Sequence, residues 1–160
     1  MTISVGEKIP SVTLQHKTPD GIDQVSTDDY FAGRKVVLFA VPGAFTPTCS
    51  QKHLPGFVAN ADAIKAKGVD EIACVAVNDA FVMDAWGKDQ DAEGKVTMLA
   101  DGSAKLAQAL GLDMDLTERG MGPRSQRYAM VVDDGTVALL NVEEAGQFEK
   151  SSAEAVLAAL

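Results

Sequence analysis

The residue in this chain best suited to chemistry is a cysteine, Cys49, which follows an abrupt change from strand to helix. Residues 35–41 form a continuous apolar run of strand length, typical of a central strand covered on both faces. Pro42 and Gly43 end that run, and residues 50–67 are predicted to be largely helical. Cys49 then lies at the first turn of a helix, where unpaired amides and the helix dipole favour a charged sulfur. This position predicts a nucleophilic thiolate.

The residues around Cys49 argue against several other kinds of cysteine chemistry. Thr46 and Lys52 stand three positions before and after it, so there is no Cys-x-x-Cys pair for disulfide exchange. His53 follows one helical turn later, but the chain has one other histidine and no further ligand cluster, so we expect no metal site. A hydrolase would need an oriented base, whereas residues 54–56 (Leu-Pro-Gly) predict a helix kink there. We interpret His53 as a structural or partly exposed histidine.

Composition and charge limit the remaining classes of function. The 160 residues are 46% apolar and 23% charged, which predicts one globular domain over residues 1–160. The net charge of -9 argues against nucleic acid or an anionic membrane as partner, because both attract clustered Lys and Arg. No export signal is visible, and no apolar run approaches the roughly 20 residues that span a bilayer. Two cysteines are typical of a reducing compartment, so we expect a cytoplasmic protein.

The order of predicted elements indicates an α/β fold. A strand over 71–78 follows the Cys49 helix, which makes a strand-helix-strand unit with parallel strands and a right-handed crossover. The further predicted elements are a helix from Asn78 or Asp79 to about Lys88, a strand over 96–100, a short helix over 104–110 ended by Gly111, an antiparallel hairpin with strands over 127–132 and 137–142, and a helix over 153–160 that begins with a Ser151–Glu154 capping box. This order predicts a thioredoxin-like fold, with a central mixed sheet and helices on both faces. In such sheets, binding and catalytic sites lie at the carboxyl ends of the strands.

Four blocks of this sequence resemble the type II, or peroxiredoxin-5-like, subfamily of the peroxiredoxins. The blocks are VPGAFTPTC over 41–49, CSQKHLPGF over 49–57, VNDAFV over 77–82 and RYAMVVDDG over 127–135. The first contains Pro42, Thr46 and Cys49 at the spacing of that family's active-site motif. The resemblance extends from about residue 6 to residue 142, and it implies the peroxiredoxin variant of the thioredoxin-like fold.

The resemblance implies a cofactor-free thiol peroxidase that reduces hydrogen peroxide and alkyl hydroperoxides in cell redox homeostasis. Cys49 is expected to attack the terminal peroxide oxygen, which gives a sulfenic acid and releases water or an alcohol. Thr46 and Arg127 are expected to hydrogen-bond the sulfur or the peroxide and to stabilise charge on the departing oxygen. Pro42 is expected to shape the rim and keep water from the sulfur.

Other residues compete for these roles. Thr48 is as well placed as Thr46 to cap the helix, and Arg119 and Arg124 lie near Arg127 in sequence, so only the match to the family selects Thr46 and Arg127. Four aromatic residues are predicted to be packing residues, with lining of the mouth or a subunit contact as the alternative: Phe45, Phe81, Trp86 and Phe148.

The sulfenic acid has to be reduced by a second thiol. Cys74 lies in an apolar strand and is predicted to be a core residue, although it is the single internal candidate for a resolving thiol. Some family members carry a resolving cysteine near the C-terminus, but residues 146–160 contain none. The resemblance therefore implies an external reductant, with glutathione and glutaredoxin favoured over thioredoxin. It also implies a homodimer. The alternatives are a redox sensor that relays oxidation to a partner disulfide, and a redox-inactive thioredoxin-like binding module.

Overall fold

The apolar runs of the sequence fold into strands of one large sheet in the structure, a computed structural model that describes residues 2–160. The strands are β1 (Thr13–Thr18), β2 (Gly21–Ser26), β3 (Lys35–Ala40), β4 (Glu71–Ala76), β5 (Thr97–Ala100), β6 (Asp113–Leu116), β7 (Gly122–Ser125), β8 (Tyr128–Asp133) and β9 (Thr136–Val142). The helices are α1 (Thr27–Phe31), α2 (Leu54–Ala59), α3 (Ala61–Lys65), α4 (Ala80–Asp89), α5 (Lys105–Leu110) and α6 (Ala153–Ala159), with a π-helical turn at Cys49–His53 and a 3-10 turn at Thr117–Arg119.

Seven of these strands form a mixed sheet in the order β2-β1-β5-β4-β3-β8-β9. The central strands β3, β4 and β5 are parallel, as was predicted for β3 and β4. The predicted hairpin of β8 and β9 is antiparallel and pairs through β8 with β3. Its turn contains Asp134 at φ 48° and Gly135 at φ 82°, the left-handed conformations that an Asp-Gly turn favours.

Helices cover both faces of the sheet because the central strands are apolar on both sides. On one face, Val37 and Phe39 of β3 pack in a cluster with residues of α2, α3, α4 and α6. On the other face, Val36 and Leu38 pack in a second cluster with residues of α1 and α5. This arrangement confirms the predicted α/β class and thioredoxin-like architecture. No helix within residues 2–160 is both long and apolar enough to cross a bilayer.

The helix predicted over 50–67 is broken into three pieces, which the periodicity of the sequence did not reveal. Leu54 N donates to Cys49 O, a five-residue step that marks the π-helical turn. Pro55 lies in the first turn of α2, where its missing N–H is tolerated. Asn60, at φ -101° and ψ 9°, separates α2 from α3 and donates from its side chain to Gly56 O. The predicted interruption after His53 therefore corresponds to a change of helix type.

Other predictions need correction at particular residues. The cap of α6 is Ser152, whose hydroxyl accepts from Ala155 N, so the capping box predicted for Ser151 is wrong by one position. Ser151 instead binds Glu143. The caps of the middle helices are as predicted, since Asp79 accepts from Val82 N and Gly111 ends α5 at φ 70°. The structure also contains the hairpins β1–β2 and β6–β7, which were not predicted.

Candidate active site

Cys49 lies where the chain leaves the carboxyl end of β3 and begins a helix. Helical structure starts at Pro47, and the carbonyl oxygen of Thr46 accepts the first helical bond, from Ser50 N at 2.9 Å. Cys49 is therefore in the first turn, as predicted, and it opens the π-helical turn. Its side chain is fully buried in the apolar cluster of that sheet face. The sulfur is thus shielded from bulk water, which strengthens its interaction with neighbouring dipoles and charges.

The hydroxyl of Thr46 contacts the sulfur directly. Its Oγ1 lies 2.8 Å from Cys49 Sγ and 2.7 Å from the carbonyl oxygen of Gly43. A hydroxyl has one hydrogen, so it serves one of these acceptors at a time. While the sulfur is protonated, S–H donates to Oγ1 and the hydroxyl donates to Gly43 O. Once the sulfur loses its proton, the hydroxyl turns and donates to it. The predicted competitor, Thr48, makes no capping hydrogen bond with its side chain.

Arg127 supplies the positive charge of the site. It immediately precedes β8, and β8 pairs with β3 so that Tyr128 stands opposite Ala40 at the strand end that leads to Cys49. Arg127 Nη2 donates to Cys49 Sγ at 3.1 Å. Of its competitors, Arg119 is exposed and does not contact the sulfur. The structure thus brings together the cysteine, the threonine and the arginine that the sequence predicted.

Pro42 and Gly43 form the turn that leads into the site. The Pro42 carbonyl accepts a long bond of 3.5 Å from Arg124 Nη1, so the second competing arginine contacts this turn and not the sulfur. A Cβ on Gly43 would lie 3.1 Å from Arg124 Nη1 and 3.2 Å from Thr46 Cγ2. Glycine is needed here because both side chains close over the backbone. Gly43 is a site residue that the sequence analysis did not select.

His53 is the largest difference between the predicted site and the structure. It is fully buried, and its Nδ1 lies 2.8 Å from Arg127 Nη1 while its Nε2 lies 2.8 Å from the carbonyl oxygen of Ser151. These two partners fix the tautomer of the ring. The Ser151 carbonyl only accepts, so Nε2 carries the hydrogen, and the Arg127 guanidinium only donates, so Nδ1 accepts. Burial and the Arg127 guanidinium lower the pKa of His53 to about 3. His53 is therefore a neutral acceptor for the arginine, a role that the sequence analysis missed.

Aromatic rings enclose the arginine and the histidine. The ring centroids of Phe39, Phe57 and Phe148 lie 4.9, 5.6 and 5.0 Å from that of His53. The Arg127 guanidinium carbon is 5.8 Å from the Phe148 centroid, within the range of a cation–π contact. Phe39 and Phe57 are fully buried and Phe148 is half-buried, so these rings help to keep His53 out of contact with solvent.

Two of the aromatic residues predicted to pack inside the chain are on its surface. Phe45 is 52% exposed and Phe81 is 64% exposed, so the packing prediction is wrong for both. Trp86 is fully buried, as predicted, and its indole Nε1 donates to Ser50 Oγ at 2.9 Å, one residue after the cysteine. Phe45 has a left-handed backbone at φ 65° directly before Thr46, which is uncommon for a bulky residue and marks local strain at this turn.

Cys74 lies in the middle of the sheet. It is fully buried in β4, where it stands between Phe39 of β3 and Met98 of β5. Burial raises the pKa of the Cys74 thiol, and the nearby Cys49 sulfur raises it further. Both cysteines are free thiols. Within residues 2–160, no three His, Cys, Asp or Glu side chains are grouped to hold a metal ion.

Comparisons with known proteins agree with this geometry. The model of the Redoxin family matches residues 4–157. The chain is 56% identical to Peroxiredoxin-2E-2, chloroplastic, of rice, with 99% of this chain and 73% of the relative covered. It is 48% identical to Peroxiredoxin-2B of Arabidopsis thaliana, with 99% and 98% covered.

Solved structures are similar over the whole chain. Reduced Prx3 of Vibrio vulnificus in complex with hydrogen peroxide superposes with a TM-score of 0.96 at 56% identity and covers 99% of both chains. Peroxiredoxin 5 of Alvinella pompejana superposes with a TM-score of 0.87 at 38% identity, covering 98% of this chain and 97% of its own.

The chain therefore belongs to the redoxin family and, within it, to the type II peroxiredoxins. It is a thiol-dependent peroxidase and an oxidoreductase. The reaction needs no prosthetic cofactor, because a cysteine takes up the oxygen and an external thiol removes it.

Proposed function

We propose that Cys49 is the peroxidatic cysteine. The main support for this role is that two hydrogen-bond donors contact its sulfur. The thiolate attacks the terminal oxygen of a hydroperoxide, the O–O bond breaks, and the departing oxygen takes a proton to leave as water or an alcohol. Sulfur is thereby oxidised by two electrons to a sulfenic acid. Thr46 and Arg127, at 2.8 and 3.1 Å from the sulfur, stabilise the charge that moves from sulfur to the departing oxygen. Pro42 shapes the turn that excludes water.

The test of this site is a set of single substitutions. Stoichiometric peroxide should give a dimedone adduct at Cys49, and turnover retained by Cys49→Ser would refute the assignment. Thr46→Val keeps the shape but loses the hydroxyl, and a hydrogen bond to a charged group is worth about 1.5–3 kcal/mol. The rate constant with peroxide should then fall about 10- to 100-fold. Thr48→Val, two residues away and without a capping bond, is the matched control and should react at the wild-type rate.

We propose glutathione with glutaredoxin as the reductant. Glutathione thiolate attacks the sulfenic sulfur and releases water, and a second thiol then reduces the mixed disulfide, so that two thiols and one peroxide give a disulfide, water and an alcohol or second water. An external thiol is favoured because Cys74 lies in a central strand with no exposed surface. Turnover measured with glutathione–glutaredoxin and with thioredoxin, side by side, tests this choice. A trapped mixed disulfide with a protein partner and no turnover would instead support a redox relay.

We propose that the protein forms a homodimer beside the active site. Phe45 and Phe81 are large exposed aromatics on neighbouring segments, because Ala44 N donates to the Asn78 side chain at 2.9 Å. Covering them would remove apolar surface from water. Sedimentation analysis should give a dimer for the wild type and monomer for Phe81→Asp. Val5→Asp, at an equally exposed apolar residue elsewhere, is the control and should stay dimeric.

We also propose that residues 1–160 act as one domain in the cytoplasm. The main sheet takes strands from Thr13–Thr18 to Thr136–Val142, so separating either half would expose its central strands. The free thiols favour a reducing compartment. Two of the relatives are named as chloroplastic, so cell fractionation of the tagged protein is the appropriate test of location.

A further inference from the structure

A buried glutamate, Glu143, lies just after β9 and has no part in the site described so far. Only 7% of its surface is exposed. Its Oε2 accepts three bonds, from Glu149 N at 2.8 Å, Ser151 N at 2.8 Å and Ser151 Oγ at 2.7 Å. Its Oε1 is buried and has no hydrogen-bond partner among residues 2–160. A buried polar atom without a partner costs free energy and calls for an explanation.

Glu143 is linked to the active-site arginine at two points. Its backbone N donates to Arg127 O at 2.9 Å, which ties the end of β9 to the residue that reaches the sulfur. Its carboxylate holds Ser151, and the carbonyl of Ser151 accepts from His53 Nε2 at 2.8 Å. Glu143 therefore anchors the backbone of the arginine through its own backbone, and it anchors Ser151, the residue that orients the histidine, through its carboxylate.

Glu143 can influence the sulfur through a series of hydrogen bonds in which each group acts only as a donor or only as an acceptor. Because the Ser151 carbonyl only accepts, it keeps the hydrogen on His53 Nε2 and leaves Nδ1 free to accept from Arg127 Nη1. With Nη1 held, the planar guanidinium directs Nη2 at Cys49. A displaced Ser151 would free the ring to rotate and would release one arm of the guanidinium.

The carboxylate is suited to hold Ser151 in this way. Burial by itself raises the pKa of Glu143, but the hydrogen bonds from Ser151 and the loop amides outweigh it, and the net effect is a lowered pKa. Glu143 therefore stays ionised, and bonds to an ionised acceptor are about twice as strong as neutral ones.

We propose that Glu143, acting through Ser151 and His53, is a positioning residue that orients Arg127 toward the sulfur of Cys49. This inference rests on the proposed role of Arg127 in the peroxide reaction. A loop anchor with no influence on the site is the alternative, and the two differ in what a substitution of Glu143 does to the chemistry.

The experiment compares two reactions of Cys49 in Glu143→Gln. Gln has the same shape but no charge, so the loop is held more weakly. Oxidation by hydrogen peroxide depends on the orientation of the guanidinium, and we expect its rate constant to fall about tenfold or more. Alkylation by iodoacetamide breaks no O–O bond and needs no guanidinium to stabilise a departing oxygen, so its rate should change less than about threefold. Glu144→Gln, the exposed neighbour, is the matched control and should retain wild-type rates.

A double-mutant cycle with Arg127→Lys completes the test. Lysine cannot make both bonds of the guanidinium, so in that background Glu143→Gln should cause almost no further loss of the peroxide rate. Equal losses in both backgrounds, or an unchanged peroxide rate in a folded Glu143→Gln protein, would overturn the proposal. If that variant does not fold, Ser151→Ala replaces it with the same expected pattern, and an unchanged rate there also overturns it. A wild-type peroxide rate in Arg127→Lys alone would refute the proposed function, which separates the two failures.

Discussion

The buried, neutral state of His53 predicts a specific loss of stability on acidification. The folded-state pKa of about 3 is below the ordinary value of 6.5, owing first to burial and then to the Arg127 guanidinium, while Ser151 O and Glu143 act in the opposite direction. The unfolded chain therefore binds a proton that the folded chain excludes. Stability is complete above the unfolded pKa and falls as pH drops below it, over the window from about 6.5 down to about 3.

The size of this loss of unfolding free energy depends on how far the pH lies below the pKa of His53 in the unfolded chain. At about pH 5, the pH is about 1.5 units below that pKa. Each unit is worth about 1.36 kcal/mol, so the unfolding free energy should be about 2 kcal/mol lower than at pH 8. His53→Gln has no titrating ring, so it should lack this loss even if the substitution lowers stability at every pH. The reduced proteins would be unfolded in urea at both pH values, and the change in unfolding free energy compared.

His16→Gln is the matched control, because His16 is the other histidine of the chain and lies half-buried on β1, in a different part of the sheet. It should lose as much stability between the two pH values as the wild type. Carboxylates are present in all three proteins, so their titration cancels in the comparison. An equal loss in wild type and His53→Gln would refute the reasoning, as it would mean that His53 takes up no extra proton on unfolding.

Three further outcomes are expected. Cys74→Ala should keep glutathione-dependent turnover within about twofold, because Cys74 is buried in the middle of β4 and forms no part of the surface that a reductant contacts. Loss of turnover together with a Cys49–Cys74 disulfide in the wild type would contradict this. Peroxide should change the fluorescence of Trp86, the single tryptophan, because its indole donates to Ser50 beside the reacting sulfur; an unchanged spectrum in fully oxidised protein would argue against movement of that turn. Gly111→Ala should lower the unfolding free energy by about 1–2 kcal/mol, since its φ of 70° strains any residue with a Cβ, and a urea titration in which the variant matches the wild type would contradict this.

The central part of the fold was predictable because its signals are local and strong. β3 and β4 are buried on both faces and therefore have continuous apolar sequences. The Asp-Gly turn of the β8–β9 hairpin and the glycine that ends α5 need left-handed backbone, which restricts the residue types. In each of these cases the residue type follows from the local conformation itself.

The hairpins β1–β2 and β6–β7 have weaker apolar patterns, although the turn of β1–β2 contains Asp20 and Gly21, the same dipeptide as the turn of β8–β9. β2 is an edge strand with four of its six residues exposed, and β6 alternates exposed and half-buried residues. Neither has a fully apolar face, so their sequences resemble those of surface loops. The position of β1 in the main sheet depends on a distant strand, with Gln15 opposite Ala100 of β5, whereas β6 and β7 form a separate two-stranded sheet. Sequence periodicity does not contain that information.

The residues of the site also differ in whether their local sequence predicts their role. Thr46 and Cys49 are three residues apart at the start of one helix, so local geometry alone brings their side chains together. Glu143 gave no signal, since it follows a strand beside a second glutamate and has the composition of a surface turn. Its burial depends on the return of the chain at Ser151, eight residues later. A residue that acts through hydrogen bonds to a later loop cannot be recognised from its own sequence neighbourhood.

Burial of the sulfur sets a requirement on the second half of the reaction. Cys49 has no exposed surface, which suits a small peroxide but excludes a thiol on a peptide or protein. If Cys49 is the peroxidatic cysteine, as proposed above, the turn at Cys49–His53 has to open before a protein thiol can reduce the sulfenic acid. This turn differs from the α-helix that follows at Leu54, because it is held by π-type bonds, a geometry often found at functional sites.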